Sequence, residues 1–294
     1  MNFIQTIQLV ALAAIWGASF MFLRYSSSDF GAVSLIFIRV AIGFLTLLPF
    51  LIYYKAGKQL KNHWKGIMIV GLTNTALPFT LFAYATLSQS AGLTSILNAT
   101  APIFTALVAF LWLKDKFTPL KIAGLLVGFT GVILLFSGKG GLQFDASSVA
   151  ILCCLVATLN YGYAACYAKR YLQGVNSLAI AAGSLLFATI MLLPFLPFYW
   201  PSETPSLNSW LSAIVLGVLC TALAYIFYFR LLADLGPEKA MTVTYLIPVF
   251  GVLWGMSFLD EQLSVLMLTG GLLILLGVGL TTGVHKRLIS WVKK

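Results

Sequence analysis

The sequence predicts an all-α polytopic membrane protein with ten transmembrane helices, arranged as two inverted five-helix repeats. Three observations predict this fold: an apolar composition, ten apolar runs of spanning length, and a pattern that recurs with the opposite charge bias. The 294 residues are 60% hydrophobic and 9% charged, with a mean hydropathy of +0.97. A water-soluble domain of this size would not expose so much apolar surface, so the chain is predicted to lie in a lipid bilayer.

Ten apolar runs have the roughly 17 to 24 residues that cross a hydrocarbon core of about 30 Å. The first run resembles a secretory signal in position, but no Lys or Arg precedes it, so we interpret it as a true span. The predicted spans are Phe3–Leu23, Ala32–Tyr54, Gly66–Leu87, Leu93–Leu113, Leu120–Ser137, Ala146–Ala168, Ser177–Trp200, Trp210–Leu232, Ala240–Leu259 and Val265–Thr282.

A pattern in the fourth and fifth spans returns in the ninth and tenth. In each copy, an apolar helix with a proline leads into a short acidic turn and then into a glycine-spaced helix. This internal duplication predicts a first repeat over residues 1–139, a second over 145–285, and a basic cytoplasmic tail over 286–294. Four pairs share an offset of 146 positions: Pro102 and Pro248, Asp115 and Glu261, Gly124 and Gly270, and Gly131 and Gly277.

Basic residues fall between alternate spans. With the N-terminus in the cytoplasm, fifteen Lys and Arg lie in cytoplasmic segments, and two, Arg24 and Lys139, lie outside. Short loops rich in Lys and Arg stay in the cytoplasm, so both termini are predicted there. Five spans per repeat is an odd number, so the second repeat must enter from the opposite face. Inverted repeats are typical of secondary transporters, which bind their substrate near the midplane.

Several other functions lack support in the sequence. The net charge of +10 would favour nucleic-acid binding in a soluble protein, but the basic residues form no face with interleaved aromatic residues, so no nucleic-acid partner is predicted. The four cysteines lie in apolar spans without metal-ligand spacing. No catalytic triad, paired carboxylate or phosphate-binding loop is present, so we predict no enzyme activity, no metal and no cofactor.

Arg39 is the charged residue that lies well inside a predicted span, about 12 Å along the second helix at 1.5 Å per residue. A buried arginine is costly against lipid and should have partners in the bundle or a wet cavity. Two interpretations stay open. Arg39 either bonds backbone carbonyls or a helix end near the outer surface, or its planar donors bind a carboxylate or another anionic group of the substrate.

No Asp, Glu or His lies in the core of a predicted span. Carriers coupled to protons or cations commonly place such a group in the pathway, so we predict facilitated diffusion or exchange. Sodium held by backbone carbonyls at a broken helix stays an alternative, because helix breaks are predicted at Pro78, Pro102 and Pro248. Gly124 and Gly128 form a small-residue motif that predicts a scaffold or a homodimer contact through helices five and ten.

Motifs along nearly the whole chain are specific as a set. They are Trp16–Phe20, Phe37–Arg39, Ala83–Tyr84, Ser90–Gly92, Ala101–Phe104, Thr221–Tyr225, Leu235–Gly236 and Tyr245–Phe250. With the acidic turns and paired glycines, they resemble the drug/metabolite transporter superfamily, and within it the ten-helix EamA family with two EamA repeats. The first repeat departs from the pattern at Asp115, where glutamate is usual, and at Lys114, which replaces the usual glycine.

The resemblance implies alternating-access transport of small organic solutes, often export of amino acids, other metabolites or drugs across the bacterial inner membrane. A sugar-phosphate or nucleotide-sugar exchanger is the rival function within transport, but a single buried arginine supports it poorly. Outside carrier-type transport, the rival functions are a channel-like pore and a membrane-embedded enzyme. The resemblance also implies a central cavity lined by helices one, three, four, six, eight and nine. The substrate-binding residues predicted there, besides Arg39, are Trp16, Asn74, Tyr84, Asn98, Asn160, Tyr161, Tyr225 and Tyr245.

Overall fold

A computed structural model describes residues 3–116, 118–137, 145–236, 240 and 242–282. All regular secondary structure in this part of the chain is helical. Nine of its helices are long and apolar enough to cross a membrane, and Val243–Leu259 is a shorter apolar helix. The predicted polytopic helical fold is therefore confirmed. The tail over 286–294 lies outside the described residues, and the predicted repeat boundaries stay predictions.

We number the ten membrane segments α1 to α10, and a short helix, Gly57–Asn62, precedes α3. The bounds are α1 Phe3–Phe30, α2 Ala32–Tyr53, α3 Trp64–Ala85, α4 Ala91–Leu113, α5 Pro119–Ser137, α6 Ala146–Tyr171, α7 Ser177–Tyr199, α8 Leu207–Gly217 with Val218–Leu223 and Ala224–Leu235, α9 Val243–Leu259 and α10 Val265–Thr282.

Helix α1 extends seven residues beyond the predicted end of the first span, from Leu23 to Phe30. Hydropathy marks where lipid ends, but a helix continues for as long as its backbone bonds are satisfied. As a result, Arg24 is not in an external loop as predicted. It lies within α1, about 9 Å before the helix end.

The three prolines have different effects on their helices. Helix α4 is interrupted at Ala99 and Thr100, and its second part, Ala101–Leu113, has Pro102 near its start. Proline suits the first turn of a helix, where its missing N–H leaves no bond unmade. Helix α9, by contrast, continues through Pro248. Pro78 lies near the start of an α-helical part of α3.

Two π-helical segments lie at nearly the same position of the two repeats, Gly71–Ala76 in α3 and Val218–Leu223 in α8. A glycine that faces a neighbouring helix is the first residue of one segment and directly precedes the other. A Cβ atom on Gly71 would lie 3.0 Å from the Ser184 carbonyl oxygen of α7, and one on Gly217 would lie 3.0 Å from the Arg39 carbonyl oxygen of α2. Single π turns often occur at functional sites, so these two segments mark the centre of the bundle for closer description.

The packing of the two repeats is related by a pseudo-two-fold axis. Helix α1 packs on α9, and α6 packs on α4, which are the equivalent pair in the other repeat. In the same way, α2 contacts α8 and α7 contacts α3. Each repeat therefore contributes helices to both sides of the bundle.

Helices α5 and α10 pack directly against each other. A Cβ atom on Gly277 would lie 2.5 Å from the Gly128 nitrogen and 2.6 Å from the Gly124 carbonyl oxygen. Gly131 and Gly270 meet in the same way farther along the pair. The predicted scaffold role of these glycines is thus observed within one chain, while the homodimer contact stays a prediction.

Candidate functional site: an arginine between the repeats

The two ends of the bundle differ, and we name them the Glu261 end and the Lys169 end. At the Glu261 end, the Glu261 carboxylate accepts hydrogen bonds from the backbone N–H groups of Ala91 at 2.6 Å and Gly92 at 3.0 Å. This carboxylate therefore holds the turn between α9 and α10 on the first turn of α4. At the opposite end, the Lys169 ammonium lies 3.6 Å from the Asp115 carboxylate.

Further polar contacts join helices of both repeats at the Glu261 end. The hydroxyl groups of Ser206 and Ser209, at the start of α8, donate to the Asp29 carboxylate of α1 at 2.9 and 2.7 Å. The Gln89 side chain, between α3 and α4, donates to the Ser147 carbonyl oxygen of α6 at 2.9 Å. At the Glu261 end, the two repeats are thus joined by direct polar contacts.

The buried core divides at the Lys169 end. One cluster joins α1, α8 and α9 through residues such as Leu12, Leu231 and Val243. Another joins α3 to the α6–α7 connection through residues such as Ile67 and Leu172. Both clusters border the main core, the first through Ile15 and Trp16 and the second through Leu60 and Val175. The helices near the Lys169 end therefore form two groups, while polar contacts join the repeats at the Glu261 end.

Helices α4 and α9 show the same difference between the ends. The first part of α4, Ala91–Asn98, packs against α9, and Ser95 lies directly against Gly251 at their crossing. The second part of α4, Ala101–Leu113, packs against α6 instead. The two helices are therefore held together at the Glu261 end by a glycine contact and belong to different groups of helices toward the Lys169 end.

Arg39 lies between the repeats and is 5% exposed. Its Nε donates to the Thr221 hydroxyl of α8 at 2.9 Å, and its guanidinium carbon lies 4.1 Å from the centre of the Phe79 ring. The Thr221 hydroxyl itself donates to the Leu216 carbonyl oxygen at 2.8 Å. Because that proton is used within α8, a lone pair of the Thr221 oxygen is directed at Arg39. The π-helical segment of α8 thus orients the arginine.

The terminal nitrogens of Arg39 keep their donors free. Neither Nη1 nor Nη2 bonds to a described residue, and a guanidinium carries four N–H groups on these two atoms. The fully buried polar side-chain atoms without a partner, among the described residues, are Ser26 Oγ and Thr75 Oγ1. Both Nη atoms therefore retain some accessible surface. A cation with free, planar donors suits a carboxylate, which it can bind through two parallel hydrogen bonds.

Aromatic side chains surround this cation. Its charge interacts electrostatically with Tyr161 and Tyr225. Tyr161 lies 5.9 Å from Phe82, and Phe82 lies 5.7 Å from Phe20 on α1, measured between ring centres. The surroundings of Arg39 are therefore apolar and aromatic with a few polar groups, the usual composition of a small-molecule site.

Comparison with protein families decides the identity of this fold. The model of the EamA-like transporter family matches residues 4–137 and again residues 148–283. The chain belongs to the EamA-like transporter family. Its two-repeat architecture and its nature as an integral membrane transporter follow from this match together with the ten apolar helices.

Relatives of this EamA transporter match along most of their length. It is 27% identical to the uncharacterized transporter YoaV of Bacillus subtilis strain 168, over 95% of this chain and 97% of the relative. It is 25% identical to a probable terminal-alkyne amino-acid exporter of Streptantibioticus cattleyicolor, over 92% and 90%. A solved crystal structure that is 18% identical shares the fold, with a TM-score of 0.68 over 98% of this chain and 99% of the other.

The predicted site residues of the EamA transporter do not all lie around Arg39. Tyr161 and Tyr225 lie close enough to interact with its charge. Trp16 packs on Tyr228 of α8, with ring centres 5.3 Å apart. Asn74 and Asn98 are half-buried, and their side chains make no hydrogen bond to the described residues. The others lie apart: Asn160 bonds its own helix at Val156, Tyr84 is 47% exposed, and Tyr245 bonds Val278 and Thr282 of α10.

Phe79 and Thr221 are site residues that the sequence analysis of this EamA transporter did not single out as Arg39 partners. The repeat offset contains a signal for Phe79, which is 146 positions from Tyr225, a residue predicted at the site. Thr221 is 146 positions from Thr75 and begins the motif Thr221–Tyr225, but neither observation pointed to Arg39. No group of three or more metal-ligating side chains occurs among the described residues.

Proposed function

We propose that this protein is a secondary transporter that exports amino acids or similar small carboxylate-bearing metabolites by alternating access. The observation that carries the proposal is the free donor pair of Arg39 among aromatic side chains. A carboxylate would pair with the guanidinium, and an apolar side chain would lie against the rings. The relative from Streptantibioticus cattleyicolor, a probable amino-acid exporter by name, supports the same substrate class.

The division at the Lys169 end supports an inward-facing state. Lys114, Lys116, Lys169 and Arg170 all lie at this end, which the positive-inside rule assigns to the cytoplasm. In such a state, with the repeats joined at the Glu261 end, a substrate would reach Arg39 from the cytoplasm, as an exporter requires when it loads its substrate. The bacterial inner membrane with both termini in the cytoplasm is the location we propose.

A sugar-phosphate exchanger is less well supported. A doubly charged phosphate group would need several buried cations to offset its loss of water. Among the described residues near the centre of the bundle, Arg39 is surrounded by a threonine, a cysteine and aromatic rings rather than by further cations. A single carboxylate matches this charge.

Counterflow in proteoliposomes tests the proposal. We expect saturable exchange of L-phenylalanine, and little exchange of phenethylamine, which lacks the carboxylate, or of glucose 6-phosphate. The experiment compares initial uptake of each labelled solute against the same unlabelled solute inside. Flux of phenylalanine that rises linearly without saturation would indicate a pore instead. Preferred exchange of glucose 6-phosphate would establish a sugar-phosphate exchanger.

One substitution made at two equivalent positions tests the role of Thr221. Thr221→Val removes the acceptor that orients Arg39 and is expected to raise the half-saturation concentration for phenylalanine about fivefold to tenfold. Thr75→Val is the matched control, because the Thr75 hydroxyl is fully buried without a partner and its removal should leave stability equal or higher. Equal half-saturation concentrations in the two variants would contradict this role.

A further inference from the structure

We propose a second binding site for the substrate carboxylate, formed by Arg24 in a cavity at the Glu261 end. This inference rests on the proposed function, because it assigns a second position on the route of the same substrate. The site lies outside the set of residues predicted from the sequence, which placed Arg24 in an external loop. The structure instead places its side chain on the wall of a cavity between helices of both repeats.

The cavity has a volume of about 720 Å³. This size accommodates a small organic solute, since ligand pockets in proteins commonly have about 300 to 1,000 Å³. Charged side chains of both signs line it, and hydroxyl groups lie between them. The lining includes Arg24, Asp29, Thr86, Ser206, Ser209 and Glu261.

Arg24 brings to this cavity a cation that forms no ion pair with the described residues. One terminal nitrogen of its guanidinium donates to the carbonyl oxygen of Thr86, the residue directly after α3. The ion pair formed among the described residues is that of Lys169 with Asp115, at the other end of the bundle. Neither carboxylate of the cavity therefore pairs with Arg24 within 4.0 Å. The remaining N–H groups of Arg24 bond no described residue and suit a carboxylate from solution.

The two carboxylates of the cavity are already bonded to neutral donors. Asp29 accepts from Ser206 and Ser209, and Glu261 accepts from the backbone of Ala91 and Gly92. These bonds fix the carboxylates as parts of the cavity wall, where their charge attracts an ammonium group. A solute that carries both a carboxylate and an ammonium group is therefore complementary to the cavity, and an anion without the ammonium group is not.

The position of the cavity places it on the export route. Phe79, which lies under Arg39, is in α3, and Thr86, whose carbonyl oxygen bonds Arg24, comes directly after Ala85, the last residue of this helix. Seven residues at 1.5 Å per residue place the two about 10 Å apart along the helix direction. Phe82 lies between them in the sequence and packs on Phe20. A carboxylate released from Arg39 toward the Glu261 end thus meets Arg24 next.

Transport measured from each membrane face tests the site. Right-side-out and everted vesicles present opposite faces of the protein to labelled L-phenylalanine. Arg24→Gln is expected to raise the half-saturation concentration about tenfold in right-side-out vesicles and to leave it unchanged in everted vesicles, where Arg39 is reached directly. Arg24→Lys, which keeps the charge, is expected to recover at least half of the wild-type affinity. Arg170→Gln, at the Lys169 end, is the matched control and should change neither value.

The outcomes separate this inference from the proposed function. Equal loss of transport from both faces in Arg24→Gln, without recovery in Arg24→Lys, would show that Arg24 only joins α1 to the end of α3 through Thr86. An unchanged external half-saturation concentration in Arg24→Gln, with normal wild-type exchange, would also overturn the site but leave the proposed function standing. If the wild-type protein exchanges no phenylalanine, both proposals are wrong. Fluorescence-detected size exclusion of each variant measures the folded amount used to normalise the rates.

Discussion

Replacement of Arg39 by glutamine is expected to lower phenylalanine exchange about 30-fold or more. Loss of one partner of a buried, hydrogen-bonded charge pair costs about 2 to 5 kcal/mol, and about 2 kcal/mol already corresponds to about 30-fold. Glutamine retains a donor for Thr221 but has no second parallel N–H group and no charge. Arg39→Lys should recover only part of the activity, because an ammonium cannot form the paired hydrogen bonds of a guanidinium. Counterflow rates per mole of folded protein measure both effects.

The solute without a carboxylate is the control for this prediction. Any slow uptake of phenethylamine should be equal in the wild type and in Arg39→Gln, since that solute has no group to pair with the guanidinium. The competing interpretation is that Arg39 only joins α2 to α8 through Thr221. In that case Arg39→Gln would keep the half-saturation concentration for phenylalanine, and only the yield and the melting temperature would fall.

The Gly277→Ala substitution is expected to destabilise the protein by about 1 to 3 kcal/mol through overpacking. An added methyl group would meet backbone atoms of α5 at 2.5 and 2.6 Å, and backbone atoms cannot turn aside as a flexible side chain can. The helices must therefore separate. Differential scanning fluorimetry in detergent should show a melting temperature several degrees lower than that of the wild type.

Gly279→Ala provides the matched control on the same helix. Among the described residues, and apart from the backbone of its own helix, no heavy atom lies within 4 Å of a Cβ atom at this position. Alanine is the better helix former by about 1 kcal/mol, so this variant should melt at the wild-type temperature or above it. If Gly277→Ala and Gly279→Ala melt together, the close contact of α5 with α10 does not determine stability.

The number of helices followed from hydropathy, because lipid demands long apolar segments. Their internal geometry did not. Helix α4 is interrupted before Pro102, where the Thr100 hydroxyl bonds the Leu97 carbonyl oxygen at 2.8 Å and Thr158 of α6 at 3.0 Å. The equivalent position in α9 is Leu246, which has no hydroxyl to stabilise a break, and that helix continues. A proline alone is therefore an insufficient signal.

The sequence likewise indicated the cation of the candidate site but not its surroundings. A charge inside an apolar span is visible without a structure, so Arg39 could be singled out. Hydropathy does not tell which side of a helix faces the centre, and Tyr84 and Tyr245 were predicted beside the substrate from the family resemblance alone. In the structure, the Tyr245 hydroxyl bonds α10, and the place of both tyrosines beside a substrate stays a prediction. The π-helical turn that presents Thr221 has no recognised sequence pattern, so this partner had to be observed.

Lys114 shows how one departure from the family pattern is accommodated. It has φ of 57°, in the left-handed region that favours glycine, and Asp260 has φ of 50° at the equivalent position of the second repeat. Both residues end a helix in this conformation. The glycine usual in the family thus fits the backbone geometry, and lysine adopts it at a modest energetic cost.

At the Glu261 end, carboxylates bind hydroxyl and backbone N–H groups, whereas the Lys169 end has an exposed ion pair between Lys169 and Asp115. Dissolved ions weaken exposed ion pairs strongly and short hydrogen bonds to neutral donors much less. If the Glu261 end faces the exterior, the contacts that join the repeats there become nearly independent of external salinity. The contact that salt can weaken then lies in the cytoplasm, where the cell itself regulates ionic strength.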